Sequence, residues 1–415
     1  MLNRPRSSFA SRRRHIRLAA LPLAGLAVAC ADPVEHPALQ APGVVAEVVA
    51  DSLEFAVQLA FLPDGRRLYT EKLTGRVRLM APNGTVAARP VLDVPVAFSG
   101  ERGLAGLTLS PDFVRDRSLF IWYTASPTDD DTHDREPEGV ASVFVERYRL
   151  DGDSIAGPGE RVLELPSRPG PFHNGGNVRF GPDGRLYVSL GELNKNASLN
   201  AQRTGNPMGS ILRYNPDGTI PVDNPLGPDN PIWAYGLRNP FGFTFDPADG
   251  ALWIADNGPA GHDRVLRMDP GENAGWPFVW GLPTNPLERL AAAIIGKEFR
   301  PAVWESYQAR VAPTGIVVLR DHAYGPTFDG RVLVGFYNTG RVLQLELDPT
   351  RTRVVRAGAF VDGLAGGVTD LELGPDGRLW ALTATRLYRL DPAGAGPPPL
   401  AAPDTLRADT INPAP

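Results

Sequence analysis

The sequence predicts an all-β fold: a six-bladed β-propeller closed by an N-terminal strand and carrying loop insertions. Three observations support this. Glycine (44) and proline (42) make up about a fifth of the 415 residues, without the regular glycine period of collagen. Apolar content of 42% against 21% charged residues excludes wholesale disorder and leaves enough chain to bury a large core. Above all, one unit recurs six times: an alternating apolar run, a Pro-Asp-Gly-like turn, and a second alternating run containing an aromatic residue.

The copies, in order, are 57–70, 104–124, 177–189, 243–255, 316–335 and 368–382, with turn prolines at 63, 111, 182, 247, 326 and 375. Each reads as a β-hairpin, because Pro presets the first turn dihedral and Gly accepts the left-handed one. Third strands are expected at 75–80, 210–214, 264–268, 341–347 and 386–390. Hairpins repeated at this spacing form blades around an axis, an arrangement that leaves few exposed sheet edges. The strand at 44–49, ahead of the first copy, is expected to complete the last blade and close the ring at 43–392. Three stretches fall outside the repeat. Residues 127–139 read as a solvated acidic loop, 286–299 have the apolar spacing of a short helix, and 393–415 are a Pro/Ala-rich tail expected to be disordered.

Charge and cysteine placement point to export. Residues 1–29 hold six arginines and no acid, whereas the remaining chain has 36 basic and 47 acidic residues, a balance of −11. Such an acidic body excludes a nucleic-acid partner, which needs a positive field. Arg12-Arg13-Arg14 followed by the apolar run 18–29 reads as a signal peptide, too short to span a bilayer. Whether it is a twin-arginine or a general secretory signal stays open. The sole cysteine, Cys30, ends a lipobox-like Leu26-Ala27-Val28-Ala29-Cys30, so it is either a lipidation site or an incidental residue of an ordinary signal. Lipidation would place the protein in the periplasm or cell envelope, with residues 30–42 as tether and the membrane touched only through the anchor. One cysteine also excludes a disulfide framework and a Cys-based metal site.

Few residues remain that could carry chemistry. His173, in Pro171-Phe-His-Asn-Gly-Gly176, precedes the third repeat, where propeller loops converge on the channel mouth. It suits a general base for a substrate hydroxyl, or it is a loop anchor. Arg238 and Asn239 occupy the matching position before the fourth repeat. Arg238 offers a fixed cation, or else it bonds loop carbonyls between blades. Asp256–Asp263 (DNGPAGHD) has the oxygen-rich spacing a hard cation requires, which plain turns also show.

Taken together, LAFLPDGRRLYTEKLTGRVRL, GERGLAGLTLSPDF, HNGGNVRFGPDGRLYVSLGE, IWAYGLRNPFGFTFDP, DNGP, NAGWP, APTG and LELGPDGRLWALT resemble the glucose/sorbosone dehydrogenase family over about 44–391. The resemblance implies a sugar dehydrogenase that depends on pyrroloquinoline quinone (PQQ) and Ca²⁺. Such an enzyme oxidises the C1 hydroxyl of an aldose to a lactone and passes electrons to a quinone or cytochrome-type acceptor. It also implies roles: His173 as base, Arg238 polarising the quinone oxygen, Asn239 contacting the cofactor, and Gly258 and Pro259 offering carbonyls to Ca²⁺ with Asp263 nearby.

The sequence departs from the family where cations should meet the cofactor's three carboxylates. Asn338, Gly367 and Thr369 stand at those positions, and only Asp370 of that motif is kept. Arg102, Arg310 and Arg320 are the available substitutes, while Trp304 and Tyr307 are candidates for the aromatic beside the cofactor. Glu101 stands where glucose-oxidising relatives carry Gln. These departures leave open a second reading, a non-catalytic sugar- or protein-binding propeller that has lost the quinone site. A calcium-dependent lactonase-type propeller is the third reading, and the HNGG and LRNP segments do not suggest it.

Overall fold

The computed structural model describes residues 43–393 except 129, 133–141, 168–170 and 194–195. The signal at 1–29, Cys30, the tether and nearly all of the tail lie outside the described residues. Six antiparallel sheets follow one another along the chain. Each predicted repeat supplies the two inner strands of a blade. Blade 1 comprises Ala56–Phe61, Arg67–Glu71, Arg76–Met80 and Leu92–Asp93, and blade 3 comprises Val178–Phe180, Leu186–Leu190, Ser210–Tyr214 and Ile232–Tyr235. Blade 6 consists of Val368–Leu373, Leu379–Thr383 and Leu387–Pro392, completed by Val44–Ala50 from the start of the ring. This closing strand pairs the two ends of the ring by backbone bonds, so neither end of the sheet series is left exposed.

The turns form for local reasons. Asp64, Asp183 and Asp376 each accept a hydrogen bond from the backbone N–H two residues on, at 3.1 Å in all three. Gly65 follows Asp64 with φ +84°, a conformation that a side chain would oppose. The second strands are buried along their whole length, as in Leu186–Leu190 and Leu252–Asp256, because blades pack on both of their faces.

One expectation changes and one is met. The acidic loop is not simply solvated: Asp131 accepts the Val96 N–H at 2.9 Å, and Thr132 exchanges backbone bonds with Val96 and Phe98. The helix forms at Pro286–Ile295, capped by Asn285, which accepts the Glu288 N–H, yet it buries no residue. Its apolar positions Leu287, Leu290 and Ile294 are exposed.

A repeated irregularity shapes the axis. The innermost strand slips register near its first residues in five blades, between Ala56/Leu59, Leu104/Gly106, Pro240/Gly242, Pro313/Ile316 and Val368/Asp370. A bulge re-aims side chains, and the residues inside these slips include Val57, Ala105, Phe241, Thr314 and Thr369, which all line one axial cavity. Elsewhere on the inner strands, polar groups bond across blades. Gln58 donates to Asn177 and accepts from the Leu107 N–H, and Asp370 accepts the Leu59 N–H at 3.0 Å. Arg179 of blade 3 reaches Asp370 and Glu372 of blade 6, an ion pair between opposite blades. Asp370 therefore serves this inter-blade network; its carboxyl is pushed up to about 8 by burial and by the neighbouring Glu372 charge.

Candidate active site

The axial cavity encloses about 300 Å³ and is lined by the five bulge residues together with Phe55, Lys72, Glu101, Asn239, Asn257 and Tyr337, among others. A volume of that order is at the small end for a small-molecule site. His173 stands beside it, tied to the lining residue Glu101, with φ +59°, a strained setting for a residue with a side chain. Three contacts hold it there: its N–H donates to Glu101 Oε2 at 2.7 Å, its carbonyl accepts the Leu193 N–H at 3.1 Å, and Gly191 lies against that carbonyl. A Cβ at Gly191 would overlap the His173 carbonyl oxygen.

The imidazole is bonded on both sides. Nδ1 meets the fully buried carboxylate of Glu192, and Nε2 lies 2.7 Å from Arg238 Nη2. A guanidinium can only donate, so Nε2 is the acceptor and Nδ1 carries its proton toward Glu192. The ring is thus held in the tautomer whose Nε2 lone pair accepts, here from Arg238, the form a general base requires.

Both readings of Arg238 hold together. Besides His173 it donates to the carbonyls of Asn257 and Gly258, each at 2.9 Å, while burial depresses its pKa. Its backbone N–H and that of Asn239 donate to Asp256, which is fully buried and paired with Arg264 at 2.8 Å. Arg264 in turn donates to the carbonyls of Gly236, Ala274 and Val279. One buried ion pair therefore ties together the loops that carry Arg238 and Trp276, whose ring lies 5.4 Å from the Arg238 guanidinium carbon. Asn239 joins the two halves of the rim, donating to Glu101 Oε2 at 3.0 Å and accepting the Gly175 N–H at 3.0 Å.

The proposed calcium ligands are otherwise engaged. Gly258 O accepts from Arg238, and both oxygens of Asp263 are taken by the backbone N–H groups of Gly258, Val311 and Ala312. Pro259 is half-buried next to them. Among the described residues no group of three or more His, Cys, Asp or Glu side chains converges as a metal site. Ca²⁺ takes six to eight oxygens, and this arrangement does not fit it, so no step is derived through the ion.

The residues at the family's cation positions are also occupied. Thr369 lines the cavity but its hydroxyl donates to Leu382 O, Asn338 is exposed and donates to Arg310 O, and Gly367 has φ +67° with Tyr337 O against it. Of the substitute cations, Arg320 pairs with Asp246 and Asp329, and Arg102 donates to Ser167 O. Trp304 stacks on Phe336 rather than at the cavity. The cation present is one that sequence reasoning passed over. Lys72 lies in the cavity wall, 8% exposed, with its ammonium 3.3 Å from Phe98 O and 5.1 Å from the Phe55 ring centroid. Burial lowers its pKa to about 8. Glu192 was likewise missed, although it closes the quoted SLGE segment.

A family model described as glucose/sorbosone dehydrogenase matches residues 53–390. An aldose sugar dehydrogenase of Escherichia coli is 29% identical over 355 residues, covering 83% of this chain and 91% of that protein. The apo-form crystal structure of a soluble aldose sugar dehydrogenase from Escherichia coli superposes with TM-score 0.71 at 27% identity, covering 84% of this chain and 99% of the other. The PQQ-bound form of an aldose sugar dehydrogenase from Streptomyces coelicolor gives TM-score 0.68 at 26% identity, over 86% and 99% of the two chains.

Proposed function

Because the chain belongs to the glucose/sorbosone dehydrogenase family, we propose that it is a PQQ-dependent aldose dehydrogenase that oxidises the C1 hydroxyl to a lactone. The observation that carries this reading is the Glu192–His173–Arg238 chain beside the axial cavity, tied to its lining residue Glu101. The fit to the cofactor rests on that cavity, on Arg238 and Asn239 beside it, and on an under-bonded ammonium in its wall. PQQ, when bound, accepts two electrons and a hydrogen from the sugar carbon.

The protein's own part is proton handling and orientation. His173 Nε2 takes the C1 hydroxyl proton once the hydroxyl displaces Arg238 from it. Glu192 stabilises the imidazolium that results, as a buried carboxylate does for a base it also orients. Arg238 then has donors free for oxygen that gains negative charge. The apolar bulge residues exclude water from the cavity floor. Electrons leave to a quinone or cytochrome-type acceptor. The lipobox around Cys30 supports placement in the cell envelope, which lipid labelling of a Cys30→Ser protein would check.

The test is titration of the purified protein with PQQ, followed by dye reduction with a panel of aldoses. Binding should saturate below tens of micromolar, and His173→Gln should abolish turnover while leaving PQQ affinity within about twofold. No PQQ binding at tens of micromolar, or a His173→Gln enzyme at wild-type rate, would overturn the proposal.

A further inference from the structure

Lys72 is a cation with little local compensation. It is more than nine-tenths buried, yet among the described residues its ammonium has one hydrogen-bond acceptor, Phe98 O at 3.3 Å, and forms no ion pair. An ammonium has three donors. Burying one with so little compensation is unfavourable unless another partner arrives. Two other buried cations show the contrast: Arg264 has Asp256 and three carbonyls, and Arg213 has Asp183, Asp223 and Asn224.

Lys72 also faces the right place. It lines the axial cavity next to Phe55, on the same wall as Gly100 and Glu101. The side chains at the positions where cations were expected are turned into backbone bonds or fixed in a tight turn, as described above. We propose that Lys72 receives a carboxylate of the bound quinone, replacing from blade 1 the cations missing from blades 5 and 6. The inference rests on the cavity being the PQQ site. It assigns the residue that completes that site here: a point charge rather than a guanidinium fork, which tolerates a carboxylate arriving from several directions.

A pH signature follows. The ionisable groups in the cavity wall are Lys72, Glu101 and Tyr337. The nearby Glu101 charge favours the charged ammonium, but burial outweighs it, so the cation is lost as pH rises through about 8. Arginine stays charged across that range.

The experiment is equilibrium binding of PQQ to the full mature protein, read by quenching of intrinsic fluorescence and by calorimetry, at pH 7 and pH 9.5. Lys72→Met should weaken binding about 10- to 100-fold at pH 7. The wild type should lose affinity by pH 9.5, whereas Lys72→Arg should hold its pH 7 affinity there. Thermal melting identifies a Lys72→Met protein that fails to fold; the Lys72→Arg pH profile then decides. Wild-type affinity in Lys72→Met, or an equal loss at pH 9.5 in wild type and Lys72→Arg, would overturn the role of Lys72. A wild type that binds no PQQ would instead overturn the quinone site itself.

Discussion

Replacing Glu192 by Gln removes one charge from the catalytic chain and leaves its shape. Glu192 is fully buried, and its carboxylate meets His173 Nδ1. The Gln carbonyl can still accept that N–H, so the tautomer survives. What disappears is the negative charge that stabilises the imidazolium when Nε2 takes a proton. A hydrogen bond to a charged group is worth about 1.5–3 kcal/mol, and each 1.36 kcal/mol is tenfold in rate. Glu192→Gln should therefore lower kcat by about 10- to 150-fold, with PQQ affinity little changed. Glu192→Ala should fall further, because it leaves Nδ1–H buried without a partner and frees the ring to turn. The assay is dye reduction by PQQ-loaded protein at saturating aldose, with binding and melting measured alongside. A Glu192→Gln enzyme within twofold of wild-type kcat, on a background where His173 is essential, would refute the proton-handling role.

Two further outcomes are expected. Gly191→Ala should displace His173, since the new Cβ would overlap its carbonyl oxygen. Turnover should fall at least tenfold and the melting temperature should drop; an unchanged crystal position of His173 would contradict this. Asp370 bears on stability. Its folded pKa, about 8, lies above the unfolded value, so its contribution is fully present below about pH 4 and is lost as pH rises through 8. Asp370→Asn, which can still accept the Leu59 N–H, should melt higher than wild type at pH 8.5 and gain little at pH 4; a constant difference across that range would refute the assignment.

The architecture was legible because each hairpin is specified locally. An Asp that bonds two residues on and a Gly at positive φ act within a single turn, as at Asp64, Asp183 and Asp376, and the six proline-marked turns announced six blades. The closing strand at Val44–Ala50 was legible because the last copy otherwise lacked an outer partner. Fourth strands such as Leu92–Asp93 and Trp304–Glu305 were not read, being two residues long and held by pairing rather than pattern. The site was half legible. His173, Arg238 and Asn239 sit in distinctive loops, but their partners come from elsewhere: Glu192 is 19 residues from His173, and Glu101 is 138 from Asn239. Lys72 gave no signal at all, because its meaning lies in burial with too few acceptors. The slips that aim five side chains into one cavity are likewise invisible until strands are paired.

Glu101 sets the electrostatic balance of the cavity, and a substitution there tests it. Oε2 accepts from the backbone N–H groups of His173 and Asn174 and the amide of Asn239, while Oε1 takes no bond from the described residues. Around the site, with Asp256 paired to Arg264, Arg238 and Lys72 are opposed by Glu101, Glu192 and Asp263, so a cofactor with three carboxylates enters a region with no excess of positive charge. A carboxylate about 8 Å from another opposes it by roughly 2 kcal/mol at an effective dielectric near 20. Glu101→Gln keeps an oxygen to accept these N–H groups and removes that repulsion. It also withdraws support from the Lys72 ammonium, whose pKa is already lowered to about 8. That second effect remains small at pH 6.5, where the ammonium stays mostly protonated. PQQ should therefore bind about 10- to 30-fold more tightly to Glu101→Gln at pH 6.5, and the advantage should shrink by pH 9. If Glu101→Gln binds PQQ no better than wild type at pH 6.5 while melting normally, the carboxylate does not face the cofactor and the charge balance drawn here is wrong.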